Sequence, residues 1–113
     1  MVTPSQVQSL ALAFAESSES PHFEKTSFRV GKKIFATMNS TQKEVVVKLT
    51  DADQDIFCSA NGGAIQPVEG AWGKKGWTLV KLDLVELELF KSVLTSSYVT
   101  VAPKKLAKLY IDK

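Results

Sequence analysis

The sequence predicts an α+β domain, an antiparallel β-sheet with helices packed on one face. Three observations predict it. The chain has 113 residues, 44% hydrophobic and 23% charged, which is enough apolar side chain for one core and too little for two, so a single domain over 1–113 is expected. Residues 26–38 read as two strands around a glycine turn, with a β-branched run close behind. Apolar stripes at helical spacing flank that strand block on both sides.

The elements follow in order. Thr3-Pro4-Ser5-Gln6 is a capping box, in which the Thr3 hydroxyl accepts from an orphan amide while Gln6 reaches back. Pro4 occupies the first helical position, where its missing N–H costs nothing. Val7, Leu10, Ala11 and Phe14 then fall at i, i+3, i+4 and i+7, one face for the core. The helix is expected to end near Glu16, because Ser17-Ser18-Glu19-Ser20-Pro21 has turn chemistry and no periodicity. Phe28 and Val30 alternate with Ser27 and Arg29, and Ile34, Phe35, Ala36 and Met38 form the return strand. Between them Gly31-Lys32 suits a type II′ turn, glycine supplying the positive φ of its first central position. Glu44 to Leu49 is a third strand, rich in valine.

A short helix is expected from Asp51 to about Ala60, capped by Thr50 or Asp51 and stopped by Asn61-Gly62-Gly63. Ala64 to Val68 reads as an edge strand, where Pro67 breaks no ladder bond. A loop over residues 69–76 leads to the strand Trp77 to Leu82. Asp83 with Glu86 three residues on predicts the cap of a third helix, whose Leu87, Phe90, Leu94 and Tyr98 share a face. Pro103 starts a last short helix carrying Leu106, Leu109 and Tyr110.

Charge and cysteine usage narrow the function classes. With 14 basic against 12 acidic residues the net charge is +2, too small to imply a polyanion partner without clustering. Cys58 is alone, so the chain assembles neither a disulfide nor a cysteine metal site, and a reduced cytoplasmic setting is expected. The N-terminal residues lack a signal-peptide pattern, and no run reaches the roughly 20 apolar residues of a spanning helix, so no membrane role is expected.

Clustering does occur. Lys32-Lys33 stand at the hairpin tip, and Lys74-Lys75 lie in a glycine-flanked loop beside Trp72 and Trp77. Lys25, Arg29 and Lys48 extend this positive surface if their strands expose one face. Two basic wings of this kind can straddle phosphates while exposed indoles stack on bases. The structural alternative is that the lysines keep turns solvated and sheet edges unsociable, with the tryptophans as packing. Arg29 is the one arginine, which argues against sequence-specific reading of guanine edges.

Other candidates read as structural. His22 has no nucleophile motif or orienting carboxylate and reads as a packed or capping residue, so no catalytic residue is assigned. Asp51-Ala52-Asp53-Gln54-Asp55 resembles the start of a calcium loop but puts Ile56 where glycine is needed and Gly62 where a bidentate glutamate belongs. The carboxylates are explained by helix capping, and no metal or cofactor is assigned. Gly73 and Gly76 serve turn geometry and match no phosphate-binding loop. Cys58 beside Phe57 reads as a buried small hydrophobe.

Pro21-His22-Phe23, the run Ser27 to Ala36, Val47-Lys48-Leu49, Gly73-Lys74-Lys75-Gly76-Trp77-Thr78, Ser96-Ser97-Tyr98 and Pro103-Lys104-Lys105 occur here in a characteristic order. In that order and spacing the chain resembles the MmcQ/YjbR family of small bacterial proteins over its full length. The resemblance implies a double-wing, or CyaY-like, α+β fold, and carries by fold analogy an association with DNA binding. The family often has a proline-led acidic turn after the first helix. Here Ala15 to Ser20 lacks that proline, a difference confined to a surface loop.

The expectation is a non-enzymatic protein that binds DNA, largely without sequence preference, through Lys25, Arg29, Lys32, Lys33, Lys74, Lys75, Trp72 and Trp77. The alternative is a protein-interaction or chaperone-like module that holds a partner on an open sheet face. A third option is a small-molecule pocket near His22, Lys33 and Trp77. The sequence does not fix the oligomeric state.

Overall fold

The computed structural model describes residues 1–22, 25–59 and 63–111, with the side chain of His22 outside the described set. The element order is α1 (Pro4–Leu12), β1 (Ser17–His22), β2 (Lys25–Val30), β3 (Lys33–Asn39), β4 (Glu44–Lys48), α2 (Asp51–Ser59), β5 (Ile65–Pro67), α3 (Ala71–Lys74), β6 (Trp77–Lys81), α4 (Leu87–Val101) and α5 (Lys104–Ala107). The strands form one sheet in the order β1-β2-β3-β4-β6-β5, antiparallel throughout.

Register separates the two faces. Phe28, Ala36, Val47 and Thr78 lie in one row across the strands, and Met38, Val45, Val80 and Ile65 in the next. All eight are buried. Helix α4 packs on β3 and β4 and adds Phe90, Val93, Leu94 and Tyr98 to this core. The other face carries Ser27, Thr37, Val46, Leu79 and Gln66 in a row, flanked by Arg29, Lys48 and Trp77.

The capping box of α1 forms in both directions, Gln6 N–H to Thr3 Oγ1 at 3.2 Å and Thr3 N–H to Gln6 Oε1 at 2.9 Å. The helix stops at Leu12, short of the predicted Glu16. Two tyrosines hold the backbone just beyond it. The Tyr98 hydroxyl donates to the Ala15 carbonyl at 2.5 Å, and the Tyr110 hydroxyl accepts the Ala15 N–H at 2.8 Å. Phe14 stacks on Tyr98 with ring centroids 4.6 Å apart.

The next segment corrects the sequence reading. Ser17 to Pro21 is strand, not turn, and pairs with β2 from Ser17↔Val30 to His22↔Lys25. As the sheet's outer strand it carries no buried row of its own, so the alternation that marks a strand is missing. The hairpin is as predicted: Gly31 has φ +63°, and Lys32 is outside the positive region, as a type II′ turn requires. Register slips between Phe28 and Arg29, so Phe35 is an extra residue in β3, and both Phe35 and Ala36 are buried.

Thr50 caps α2, its Oγ1 accepting the Asp53 N–H at 3.2 Å, and the helix is described as far as Ser59. Ala60, Asn61 and Gly62, the expected end and stop of this helix, lie outside the described residues. The loop over 69–76 contains the unpredicted helix α3. Helix α4 starts at Leu87 behind Glu86, which makes no side-chain cap, so the predicted Asp83–Glu86 capping box is absent. Val85 is drawn into the core instead, and Asp83 pairs with Lys43 at 3.7 Å.

Candidate functional site

The face opposite α4 holds a groove of about 370 Å³ lined by Lys25, Ile34, Thr37, Val46, Val68, Trp72 and Trp77. A run of three valines at 45–47 explains its floor: Val45 and Val47 face the core, which leaves Val46 to the groove. A second cavity of about 350 Å³ adjoins it, sharing Ile34 and Trp77 and adding Lys33, Lys48, Thr100 and Val101.

The indoles of Trp72 and Trp77 meet edge to face, centroids 6.4 Å apart at 67°. Trp77 is half-buried on β6, while Trp72, on α3, is 62% exposed. Each carries a cation, Lys48 Nζ at 5.5 Å from the Trp77 ring and Lys75 Nζ at 5.5 Å from the Trp72 ring. Lys48 Nζ also donates to the Lys75 carbonyl, tying the end of β4 to the tryptophan loop.

That loop is held from below. The Gln54 side-chain amide on α2 donates to the Gly73 carbonyl at 2.9 Å, Thr78 Oγ1 at 3.0 Å and the Trp77 carbonyl at 3.3 Å. Gly73 and Gly76 allow the close approach this needs. A Cβ on Gly73 would lie 1.9 Å from the Val68 carbonyl oxygen, and one on Gly76, at φ +102°, 2.1 Å from that of Leu49. Both glycines are therefore packing requirements rather than parts of a phosphate loop.

The structure brings most of the predicted basic residues to this face. Lys25 lines the larger cavity and Lys33 the smaller, with Lys48 between β4 and the tryptophan loop. Arg29 shares the face, its Nε donating to Ser27 Oγ at 3.3 Å. Lys32 is exposed in the hairpin turn and Lys74 on α3, and neither lines either of these two cavities. Among the described residues none of these cations is ion-paired, the pairs being Lys43–Asp83 and Lys91–Glu88.

The other candidates stay apart. His22 pairs with Lys25 through its backbone, and the packed or capping role of its side chain falls outside the described residues. The small-molecule option therefore retains Lys33 and Trp77 on one cavity. Among the described residues no three His, Cys, Asp or Glu side chains gather in a metal-binding group. Cys58 is half-buried, not buried, and burial, then the nearby Asp55, push its thiol pKa up. It is thus a poor nucleophile.

Ile34, Val46, Val68 and the Gln54 clamp are contributions that sequence reasoning missed. The valine run was the available signal for the floor, since successive apolar residues in a strand put apolar side chains on both faces of the sheet. Gln54 gave no signal, because a glutamine on a helix with three aspartates reads as solvated.

Comparison with known proteins bears on this architecture. The YjbR family model matches residues 12–100, a span from the end of α1 through most of α4. The chain belongs to the YjbR family. The crystal structure of the Deinococcus radiodurans protein DR2400, with the family-model domain DUF419, is similar at a TM-score of 0.79 and 26% identity. The likeness covers 97% of this chain and 88% of that one. No curated protein matches this YjbR-family chain. Among its described residues no helix is long and apolar enough to cross a membrane.

Proposed function

We propose that this YjbR-family protein is a non-enzymatic, cytoplasmic nucleic-acid-binding protein that contacts phosphates through lysine and bases through tryptophan, largely without sequence preference. One observation carries the reading: Lys25, Lys33, Lys48 and Lys75, none of them ion-paired among the described residues, stand around a groove whose wall is a pair of tryptophans, one of them 62% exposed. Lysine supplies point charges for phosphate without the bidentate fork that reads guanine, and indoles stack on any base. Arg29, the one arginine, is already engaged with Ser27.

The test is a binding titration against duplex and single-stranded DNA at several salt concentrations. If Lys32, Lys33, Lys74 and Lys75 all touch duplex phosphates, the log–log salt slope should be about −3 to −4, and each lysine-to-alanine change should flatten it by about one. Absence of binding to either form at about 50 mM salt, or binding unchanged in the four-lysine variant, refutes the proposal. The apolar floor of Ile34, Val46 and Val68 favours a second reading, a protein-interaction module. That reading takes over if DNA fails to bind.

A further inference from the structure

We propose that the grooved face selects single strands over duplex, with Trp72 as the stacking platform and the backbone following Lys25, Lys75, Lys48 and Lys33; this rests on the nucleic-acid reading above. The two cavities share Ile34 and Trp77 as lining residues, and the smaller reaches Thr100 and Val101 of α4, so the proposed track runs past the half-buried indole from the open face toward the C-terminal end of α4. Each falls within the range of about 300–1,000 Å³ typical of small-ligand sites, and so has room for an unstacked base.

A duplex cannot use this track. Its base faces are consumed by stacking, so Trp77 and the apolar floor of Ile34 and Val46 have nothing to meet. Its phosphates would reach chiefly the outlying Lys32 and Lys74. A single strand exposes both parts that the track complements, flat apolar rings and a flexible chain of phosphates. Lys48 and Lys75 lie over the two indoles in the free protein. A phosphate can draw these flexible ammonium groups off the rings as bases replace them, so one contact opens the way for the other. The Gln54 clamp and the tight approaches at Gly73 and Gly76 hold Trp72 and Trp77 in place beforehand, which limits the ordering cost of binding.

The experiment measures fluorescence anisotropy of a labelled pyrimidine 10-mer and of its duplex, at about 50 mM salt and again at higher salt. The proteins are the full chain, Trp72→Ala and Trp72→Phe, each first shown by thermal melting to be folded. Trp72 is exposed, so its replacement spares the core. The expected result is single-strand binding at least tenfold tighter than duplex, with a salt slope no steeper than about −3 for four contacts. Trp72→Ala should weaken single-strand binding by about ten- to a hundredfold and leave duplex binding little changed, and Trp72→Phe should recover most of the loss. Duplex binding as tight as single-strand binding overturns the proposal while leaving the nucleic-acid reading intact. So does an equal loss on both forms in Trp72→Ala, or a Trp72→Ala protein indistinguishable from wild type. Failure of both forms to bind refutes the broader reading, and this one with it.

Discussion

The Ser97 hydroxyl donates to the Phe35 carbonyl at 2.5 Å, joining residues 62 positions apart. The same oxygen accepts the Lys48 N–H at 3.2 Å. The irregularity in β3 creates the need: where register slips at Phe35, the sheet ladder is interrupted, and a buried side chain on α4 takes over. Ser97 thereby fixes the ends of β3 and β4, which carry Lys33, Ile34 and Lys48 of the groove.

Ser97→Ala should therefore destabilise the protein by about 2–4 kcal/mol, since it leaves a buried carbonyl and a partly buried N–H without their partner. Urea unfolding should show a lower midpoint at unchanged slope. An unaltered midpoint would mean that water or another group replaces the hydroxyl at no cost.

Gln54→Leu keeps most of the side-chain volume and removes the clamp on the tryptophan loop. A loss of about 1–3 kcal/mol is expected. The more specific outcome is local: amide hydrogen exchange across residues 71–76 should accelerate more than exchange in α4. Uniform acceleration across both regions would show that Gln54 stabilises the whole domain rather than this loop.

Glycine substitutions should split into two classes. A Cβ at Gly31 meets nothing within 4 Å, so Gly31→Ala pays only for its positive φ, about 1 kcal/mol, and Gly31→Val about 1–3. Gly76→Ala combines positive φ with a collision against the Leu49 carbonyl oxygen, and should cost more than about 3 kcal/mol. Equal effects in thermal melts of Gly31→Ala and Gly76→Ala would contradict the close packing of the tryptophan loop.

Tyr98 predicts a weakness in alkali. Burial, followed by the neighbouring Tyr110 and Glu16, pushes its pKa above the ordinary tyrosine value. A raised pKa means the folded state holds the proton more tightly than the unfolded one. Its contribution is complete below about pH 10 and drains away as pH climbs toward the folded-state value. Urea midpoints measured from about pH 8 to 11.5 should fall at the upper end. Tyr98→Phe should start lower, having lost its bond to Ala15, and fall less steeply. Parallel curves would remove Tyr98 as the source.

The parts of the fold that proved legible were those whose local chemistry is self-sufficient. Thr3, Pro4 and Gln6 specify a helix start without help, and Gly31-Lys32 specifies a turn. Residues whose conformation depends on distant partners were opaque. β1 is a strand because β2 offers it a ladder, α1 ends where Tyr98 and Tyr110 capture Ala15, and α4 starts late because Val85 has a place in the core. The basic and aromatic residues of the candidate site were visible as residue types. Their convergence was not, because it depends on the register that places Lys48 opposite Trp77 and on the clamp from Gln54.

Pro67 lies in the border strand β5, between two residues bonded to β6: the Ala64 carbonyl accepts Lys81 N–H and Val68 N–H reaches the Trp77 carbonyl. Alternation along the strand therefore turns the Pro67 nitrogen outward, where an approaching strand would look for a donor. The opposite border, β1, carries Pro21. A sheet ended this way is a poor template for its own copies. The same six strands can present an aromatic groove without growing sideways into fibres.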